Sequence, residues 1–205
     1  MNFTVIGIAI LVIATVALAF VEFQKRALFA KVEHYFEVED YQAALDVLDT
    51  AMARLAFPTY NRQFMRLNAL MSLERAEEAT ETIDGLLELK MSRDQKLALY
   101  GKALMFFVEV EDRPRAEKVL GLIRGLGDAS LTEQSEQTVE IFLKGSSAYI
   151  DRMETALKAT REGGERMRLC QLLAVQYENA GNERRAEQYY AQVEREMAKI
   201  EKVSR

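Results

Sequence analysis

Apolar residues recur at helical spacing along almost the whole chain, and short polar, glycine or proline breaks interrupt the pattern. Recurrence at i, i+3, i+4 and i+7 predicts helices of about 12 to 18 residues between the breaks. The sequence therefore predicts an all-α fold without a sheet, and a sparser break at 145–147 predicts helices near 131–144 and 148–162. The main breaks fall at residues 39–40, 57–58, 91–94, 111–114, 125–128, 163–164 and 181–182.

The first twenty residues differ from the rest because no polar face interrupts them. Phe3 to Val21 are nineteen consecutive uncharged, mostly apolar residues. At about 1.5 Å per residue, a helix of this length spans the roughly 30 Å hydrocarbon core of a bilayer. We therefore predict a single-pass membrane anchor over residues 1–22 that contacts lipid through residues 3–21. The alternative, a buried core helix, is disfavoured by the missing polar face.

A cleaved secretory signal is a second alternative for the same stretch. Ala17-Leu18-Ala19 has the small-x-small shape of a cleavage site at the end of an apolar run. Only Met1 and Asn2 precede the run, however, and neither is basic, whereas secretory signals open with a positively charged region. The retained anchor is therefore favoured.

Flanking charge predicts which side of the membrane the remaining residues face. Lys25, Arg26 and Lys31 follow the apolar run, and nothing basic except the amino terminus precedes it. Cytoplasmic flanks of membrane helices carry an excess of Lys and Arg. We expect the bulk of the chain to face the cytoplasm, with the periplasmic or extracellular side as the alternative.

One sequence signature recurs after the anchor. An acidic or glycine turn precedes a helix with a small residue, and apolar positions follow it four and seven or eight residues later. The copies are EDYQAALDVLDTAM, ERAEEATETIDGLL, DRPRAEKVLGLI and GNERRAEQYYAQV, with a fainter one around Ala156. Their alanines (Ala44, Ala79, Ala116, Ala156 and Ala186) are 35, 37, 40 and 30 residues apart. A small side chain at this position lets two helices approach closely.

This pattern resembles the tetratricopeptide repeat, a helix-turn-helix unit of 34 residues. In the best copy, Tyr177, Gly181, Ala186 and Tyr190 match the family's aromatic, glycine, alanine and aromatic positions. The family's first-helix tryptophan is absent. The resemblance implies an α-solenoid of stacked helix-turn-helix repeats over residues 23–205, and a non-repeating helical bundle is the alternative.

The last helix shows apolar residues at Ala186, Tyr190, Val193, Met197 and Ile200. This spacing predicts one packed face and one solvated face, as the terminal cap of a solenoid requires. A coiled-coil contact with a second chain is the alternative.

Members of this family bind an extended or helical segment of another protein in a groove lined by the first helices of the repeats. The resemblance therefore implies a partner-binding groove here. A mixed, partly acidic groove with methionines favours a helical or basic peptide. The candidate groove residues are Glu33, Phe36, Glu37, Asn68, Met71, Lys102, Met105, Gln171 and Glu178.

Composition narrows the function further. The net charge is −5, and Lys and Arg are mixed with acidic residues, so nucleic acid is not an expected partner. His34 is the only histidine and Cys170 the only cysteine, and no metal-binding, phosphate-loop or nucleophile motif occurs. We expect no enzyme activity, cofactor, metal or small-molecule substrate.

Two functions remain open, and both use other proteins as partners. The first is a membrane-anchored scaffold or adaptor that recruits partners to the cytoplasmic face of a bilayer. The alternative is a periplasm-facing assembly factor or chaperone for envelope proteins. A membrane-anchored enzyme would require an activity that depends on one specific carboxylate.

Overall fold

The computed structural model describes residues 21–203, and it describes side-chain surroundings for residues 21–199. Every regular element in this range is a helix, which confirms the all-α class. Within the same range, no helix is both long enough and apolar enough to cross a bilayer. Residues 3–20 of the predicted anchor lie outside the described residues.

The described helices follow one another through short connections. α1 covers residues 21–37. It is followed by α2 (Tyr41–Leu48), α3 (Ala51–Ala56), α4 (Thr59–Ser72), α5 (Ala76–Leu87), α6 (Arg93–Glu109), α7 (Arg113–Arg124), α8 (Ala129–Lys144), α9 (Ile150–Ala159), α10 (Gly163–Asn179) and α11 (Glu183–Val203).

The chain divides into two compact units, Met1–Leu99 and Tyr100–Arg205, and the division falls inside α6. In the first unit, α2 packs against α4, and α4 packs against α5. In the second unit, α7 packs against α8, and α10 packs against α8, α9 and α11. The predicted helices near 131–144 and 148–162 correspond to α8 and α9. The predicted break at 163–164 is wrong, because Gly163 and Gly164 are the first residues of α10.

Four helix pairs are joined by the same tight turn: α1–α2, α4–α5, α6–α7 and α10–α11. One residue of each turn has a positive φ between 56° and 72°. The next N–H donates to the carbonyl five residues earlier, at 2.8 to 3.0 Å. This is the Schellman arrangement that ends many helices. The left-handed residues are Glu39, Glu74, Glu111 and Gly181, so the turns recur after 35, 37 and 70 residues.

The residue after the left-handed position caps the second helix with its side chain in three of these pairs. The side chains of Asp40, Asp112 and Asn182 accept a hydrogen bond from the backbone N–H three residues later, at 3.1 to 3.2 Å. Such a bond satisfies one of the free donors at a helix start. The acidic turns of the sequence signature therefore combine a helix end with a helix start.

The alanines of the signature pack as predicted at four of five positions. Ala44, Ala79 and Ala116 are fully buried, and Ala186 is 2 % exposed. The fifth copy is wrong, because Ala156 is exposed. In α9 the buried residues are instead Met153 and Leu157, which join a cluster around α10.

The α8–α9 connection differs from the other four turns, and two side-chain amides of α10 hold it. Gln176 is fully buried, and its Oε1 accepts from the Tyr149 N–H at 2.9 Å. The Nδ2 of Asn179 donates to the carbonyls of Ile141 at 2.9 Å and Ser146 at 3.1 Å. This hairpin therefore depends on its neighbour along the chain for its turn.

The predicted packed face of α11 is wrong by one position at its first aromatic residue. Tyr189, not Tyr190, is buried, whereas Tyr190 is 38 % exposed and Met197 is 49 % exposed. Apolar spacing did not reveal this register because the packed face includes the charged residue Glu196, which is 7 % exposed. Its carboxylate accepts from Arg166 of α10 at 3.2 Å, which makes burial of the charge possible.

The left-handed turns generate a prediction about stability. A side chain at positive φ costs about 1 to 2 kcal/mol, and glycine escapes this cost but is more flexible when unfolded. Glu111→Gly should therefore raise the free energy of unfolding by up to about 1 kcal/mol. Gly181→Ala should lower it by about 1 kcal/mol, because an added Cβ meets nothing within 4 Å and only the backbone strain changes. Urea unfolding measures both, and equal stabilities of all three chains would contradict the turn geometry.

The buried alanines generate a second prediction. Ala116→Leu forces extra atoms into a packed contact and should lower the free energy of unfolding by about 1 to 3 kcal/mol. Ala156→Leu is the matched control, since Ala156 is exposed. It should change the same quantity by no more than about 0.5 kcal/mol. A similar loss in both variants would show that Ala116 is not a close contact.

Candidate binding surfaces

The nine predicted groove residues all lie on helices that come first in a pair, namely α1, α4, α6 and α10. Five of them are exposed: Glu33, Glu37, Met105, Gln171 and Glu178. The other four are half-buried: Phe36, Asn68, Met71 and Lys102. The candidates before residue 100 belong to the first unit, and the others belong to the second unit. None of the nine lines any of the three cavities described below.

Two of the half-buried candidates, Phe36 and Asn68, are restricted by the fold in how they can contact a partner. Phe36 packs on the cluster of Val32, Val47 and Leu48, and its ring lies edge-on to Tyr41 with centroids 5.7 Å apart. The Oδ1 of Asn68 is buried and has no hydrogen-bond partner among the described residues. A ligand reaches that oxygen only if the Asn68 side chain rotates.

Among the exposed candidates, Glu178 is engaged within its own hairpin. Its carboxylate accepts a hydrogen bond from the hydroxyl of Tyr190 at 3.0 Å. This contact also explains why the exposed Tyr190 keeps a defined place on α11. Met105, which is 54 % exposed, is the apolar residue among the five exposed candidates.

A polar cavity of about 480 Å³ lies in the first unit, bounded by α3, α4, α5 and the end of α2. We call it the arginine cavity because Arg54, Arg62 and Arg66 line it, beside Asp49 and Glu81. Guanidinium groups suit carboxylate and phosphate oxygens. Sequence analysis did not identify this site, although Arg62 and Arg66 are spaced i, i+4 and therefore share a helix face.

The three arginines of this cavity are not equally available. Arg66 bonds Asp49 at 3.3 Å, Thr82 at 2.9 Å and Glu78 at 3.5 Å. Arg62 makes a single long bond, 3.4 Å, to the carbonyl of Leu48, and Arg54 is exposed. Arg66 therefore ties α4 to α2 and α5, while Arg54 and Arg62 present charge to the cavity.

A second cavity of the first unit, about 220 Å³, is lined almost entirely by apolar atoms. It lies between the start of α1 and α3, and we call it the apolar groove. Its lining residues are Val21, Gln24, Lys25, Met52, Leu55 and Ala56.

In the second unit, a smaller cavity of about 160 Å³ lies between α8, α9 and α10. Its charged residues are already paired, Arg152 with Glu133 and Arg168 with Glu165. The Arg168 pair, a bidentate contact at 2.7 Å, lowers the pKa of the Glu165 carboxyl. Little charge is left there to attract a ligand.

Glu154 is the most heavily bonded carboxylate of the second unit. Its Oε1 accepts from the hydroxyls of Tyr177 and Tyr189, both at 2.8 Å, and from Arg185 at 2.6 Å. The two tyrosine rings are stacked with centroids 5.6 Å apart. The tyrosine hydrogen bonds, followed by the charge of Arg185, lower the pKa of Glu154. This cluster joins α9, α10 and α11.

The described residues offer no group of three or more His, Cys, Asp or Glu side chains placed to hold a metal ion. His34 is exposed on α1. Cys170 is fully buried, and burial raises the pKa of its thiol. A raised pKa keeps the thiol protonated and unreactive at neutral pH.

Comparison with known proteins gives no match to any family model, to any curated protein or to any solved structure that was searched.

The Glu154 cluster generates a pH prediction. In the folded chain, the pKa of Glu154 lies below its ordinary value of 4.5. The ionised carboxylate therefore stabilises the fold at pH values above 4.5, and this stabilisation is lost as the pH falls through the pKa of the folded chain. Glu154→Gln should therefore be less stable than the unmodified chain at neutral pH. The difference should shrink as the pH falls below 4.5.

Urea unfolding across this pH range measures the difference. The matched control is Glu187→Gln, because Glu187 is exposed on the neighbouring helix α11. The control should show no comparable pH-dependent difference from the unmodified chain. A constant difference for Glu154→Gln at every pH would contradict a stabilising ionised carboxylate.

Proposed function

We propose that this chain is a membrane-anchored adaptor that binds a peptide or helix of another protein along the first helices of its hairpins. The observation that carries the proposal is the recurrence of one hairpin turn at residues 39, 74, 111 and 181, each followed by a helix with a buried alanine. Recurring hairpins of this kind are typical of proteins that bind other proteins.

The exposed residues of the first helices support a protein ligand of particular chemistry. Glu33, Glu37 and Glu178 contribute negative charge, and Met105 contributes a flexible apolar side chain. Acidic residues favour a basic partner through charge complementarity, and methionine adapts to partner side chains of different shapes. A basic amphipathic helix or a basic extended peptide fits these properties best.

In this proposal, the membrane anchor keeps the adaptor and its partner at the bilayer. Residues 3–21 are proposed to cross the bilayer, with residues 23–205 on the cytoplasmic side because Lys25, Arg26 and Lys31 follow the apolar run. A partner tethered to one membrane meets other membrane-bound proteins at a raised effective concentration.

Site-specific crosslinking in intact membranes tests the proposal. A photo-crosslinking amino acid replaces Met105 on α6 or, as a matched control, Lys118 on α7, which is also exposed but lies on a second helix. Adducts with a discrete protein are expected from position 105 and not from position 118. Adding Glu178→Lys, in the same unit as Met105, should reduce the adducts, because the substitution reverses a charge that attracts a basic partner.

Equal adducts from both positions, or none from either, would remove the support for first-helix binding. A fluorescent reporter fused after Arg205 tests which side of the membrane the carboxyl terminus faces. Fluorescence is expected, as for a cytoplasmic carboxyl terminus, whereas protease accessibility from outside would favour the envelope assembly factor.

A further inference from the structure

The start of the described chain carries an apolar surface that the fold does not cover. Val21 is 48 % exposed, Phe23 is 67 % exposed, Met52 is 52 % exposed and Leu55 is 82 % exposed. Val21, Met52 and Leu55 line the apolar groove. Large apolar side chains gathered in one exposed patch mark a site of interaction.

The helix that carries half of this patch is an addition to the hairpin pattern. α3 lies between the first pair, α1–α2, and the second pair, α4–α5, and Ala53 is its only buried residue. Thr50 fixes its start, because the Thr50 hydroxyl accepts from the Ala53 N–H at 3.1 Å and donates to the Val47 carbonyl at 2.7 Å. α3 is therefore a defined short helix whose two large apolar side chains, Met52 and Leu55, are exposed.

The position of the patch along the chain identifies its occupant. Val21 is the last residue of the nineteen-residue uncharged run, and it lines the apolar groove together with Met52 and Leu55. If the run crosses a bilayer, Val21 lies at the membrane surface, and the α3 side chains that share the groove lie at the same level. An interfacial helix places its apolar side chains at the boundary of headgroups and acyl chains in this way.

The charges around the groove fit an anionic lipid surface. Lys25 lines the groove, Arg26 follows it on α1, and Arg54 lies on α3 between Met52 and Leu55. Lys25 is paired with Glu22 at 2.9 Å, so Arg26 and Arg54 are the cations that remain for lipid phosphates. Asp49 and Glu81 are the acidic residues that line the arginine cavity with Arg54. Arg54 also lines the arginine cavity, so α3 separates an apolar groove from a cavity suited to phosphate oxygens. Long basic side chains at this level reach outward to lipid phosphates.

We propose that the apolar groove and α3 seat against an anionic membrane leaflet, with Met52 and Leu55 at the acyl boundary and Arg54 among the headgroup phosphates. This seating rests on the proposed membrane anchor. It adds a second contact with the bilayer and so holds the first unit in a fixed orientation to the membrane.

Single tryptophans test the seating, because the chain has no tryptophan of its own. Full-length Leu55→Trp is reconstituted into phosphatidylcholine and phosphatidylglycerol vesicles whose acyl chains are brominated. Its emission should be blue-shifted and quenched by the bromine atoms. Val38→Trp is the matched control, because Val38 is 54 % exposed, belongs to the same unit and follows the end of α1 opposite to Val21. Its emission should be neither shifted nor quenched.

The contribution of charge is tested in the Leu55→Trp chain by adding Arg54→Gln. Each cation near an anionic surface contributes about 1 kcal/mol, so the ratio of seated to unseated chains should fall about fivefold. Quenching measured over a series of salt concentrations gives this ratio. Vesicles of phosphatidylcholine alone should show weaker seating, and no difference between the two compositions would overturn the anionic part of the proposal.

Flotation of the same vesicles separates this proposal from the proposed function. Protein that fails to float with the vesicles would overturn the anchor and the seating together. Protein that floats with an unquenched, water-like Leu55→Trp emission would overturn the seating alone. A blue shift without bromine quenching would also overturn it, because the patch would then be covered by residues 1–20 or by a second copy of the chain.

Discussion

Two helices of a hairpin approach closely only where one of them carries a small side chain, and the chain meets this requirement with Ala44, Ala79, Ala116 and Ala186. In four hairpins the short connection contains one residue in the left-handed region, which ends the first helix and satisfies its last carbonyls. Three of these positions hold glutamate instead of glycine, so the strain is accepted at each of them and compensated by the helix contact that follows. Turn and alanine therefore act as one unit.

In each unit, polar side chains of one helix form hydrogen bonds to neighbouring helices. In the second unit, α10 supplies Gln176 and Asn179 to the irregular α8–α9 connection, Arg166 to the buried Glu196, and Tyr177 to the Glu154 cluster. In the first unit, Arg66 of α4 bonds to Asp49 at the end of α2 and to Glu78 and Thr82 of α5. Buried polar groups usually have partners, and these side chains of α10 and α4 supply such contacts to neighbouring helices.

The proposed functions use different surfaces of the molecule. Partner binding relies on exposed first-helix residues such as Glu33 and Met105. Membrane seating relies on the first residues of α1 and on α3, the short helix outside the hairpin pattern. An adaptor benefits from this separation, because contact with lipid then leaves the residues for its partner free. Seating also restricts the directions in which a tethered partner is presented, which strengthens the effect of tethering on local concentration.

Local patterns in the sequence were sufficient for the all-α class, for the turns near residues 40, 112 and 182 and for the burial of Ala44, Ala116 and Ala186, since each depends on residues within one hairpin. They missed the break between α2 and α3. The arginine cavity and the apolar groove were not predicted, because their lining residues come from separate helices that meet only through tertiary packing. The register of α11 was also decided by tertiary contacts. Tyr189 is turned inward by Glu154 and Tyr177, and Glu196 is buried because Arg166 neutralises it, so a charge lies where periodicity alone predicts apolar residues.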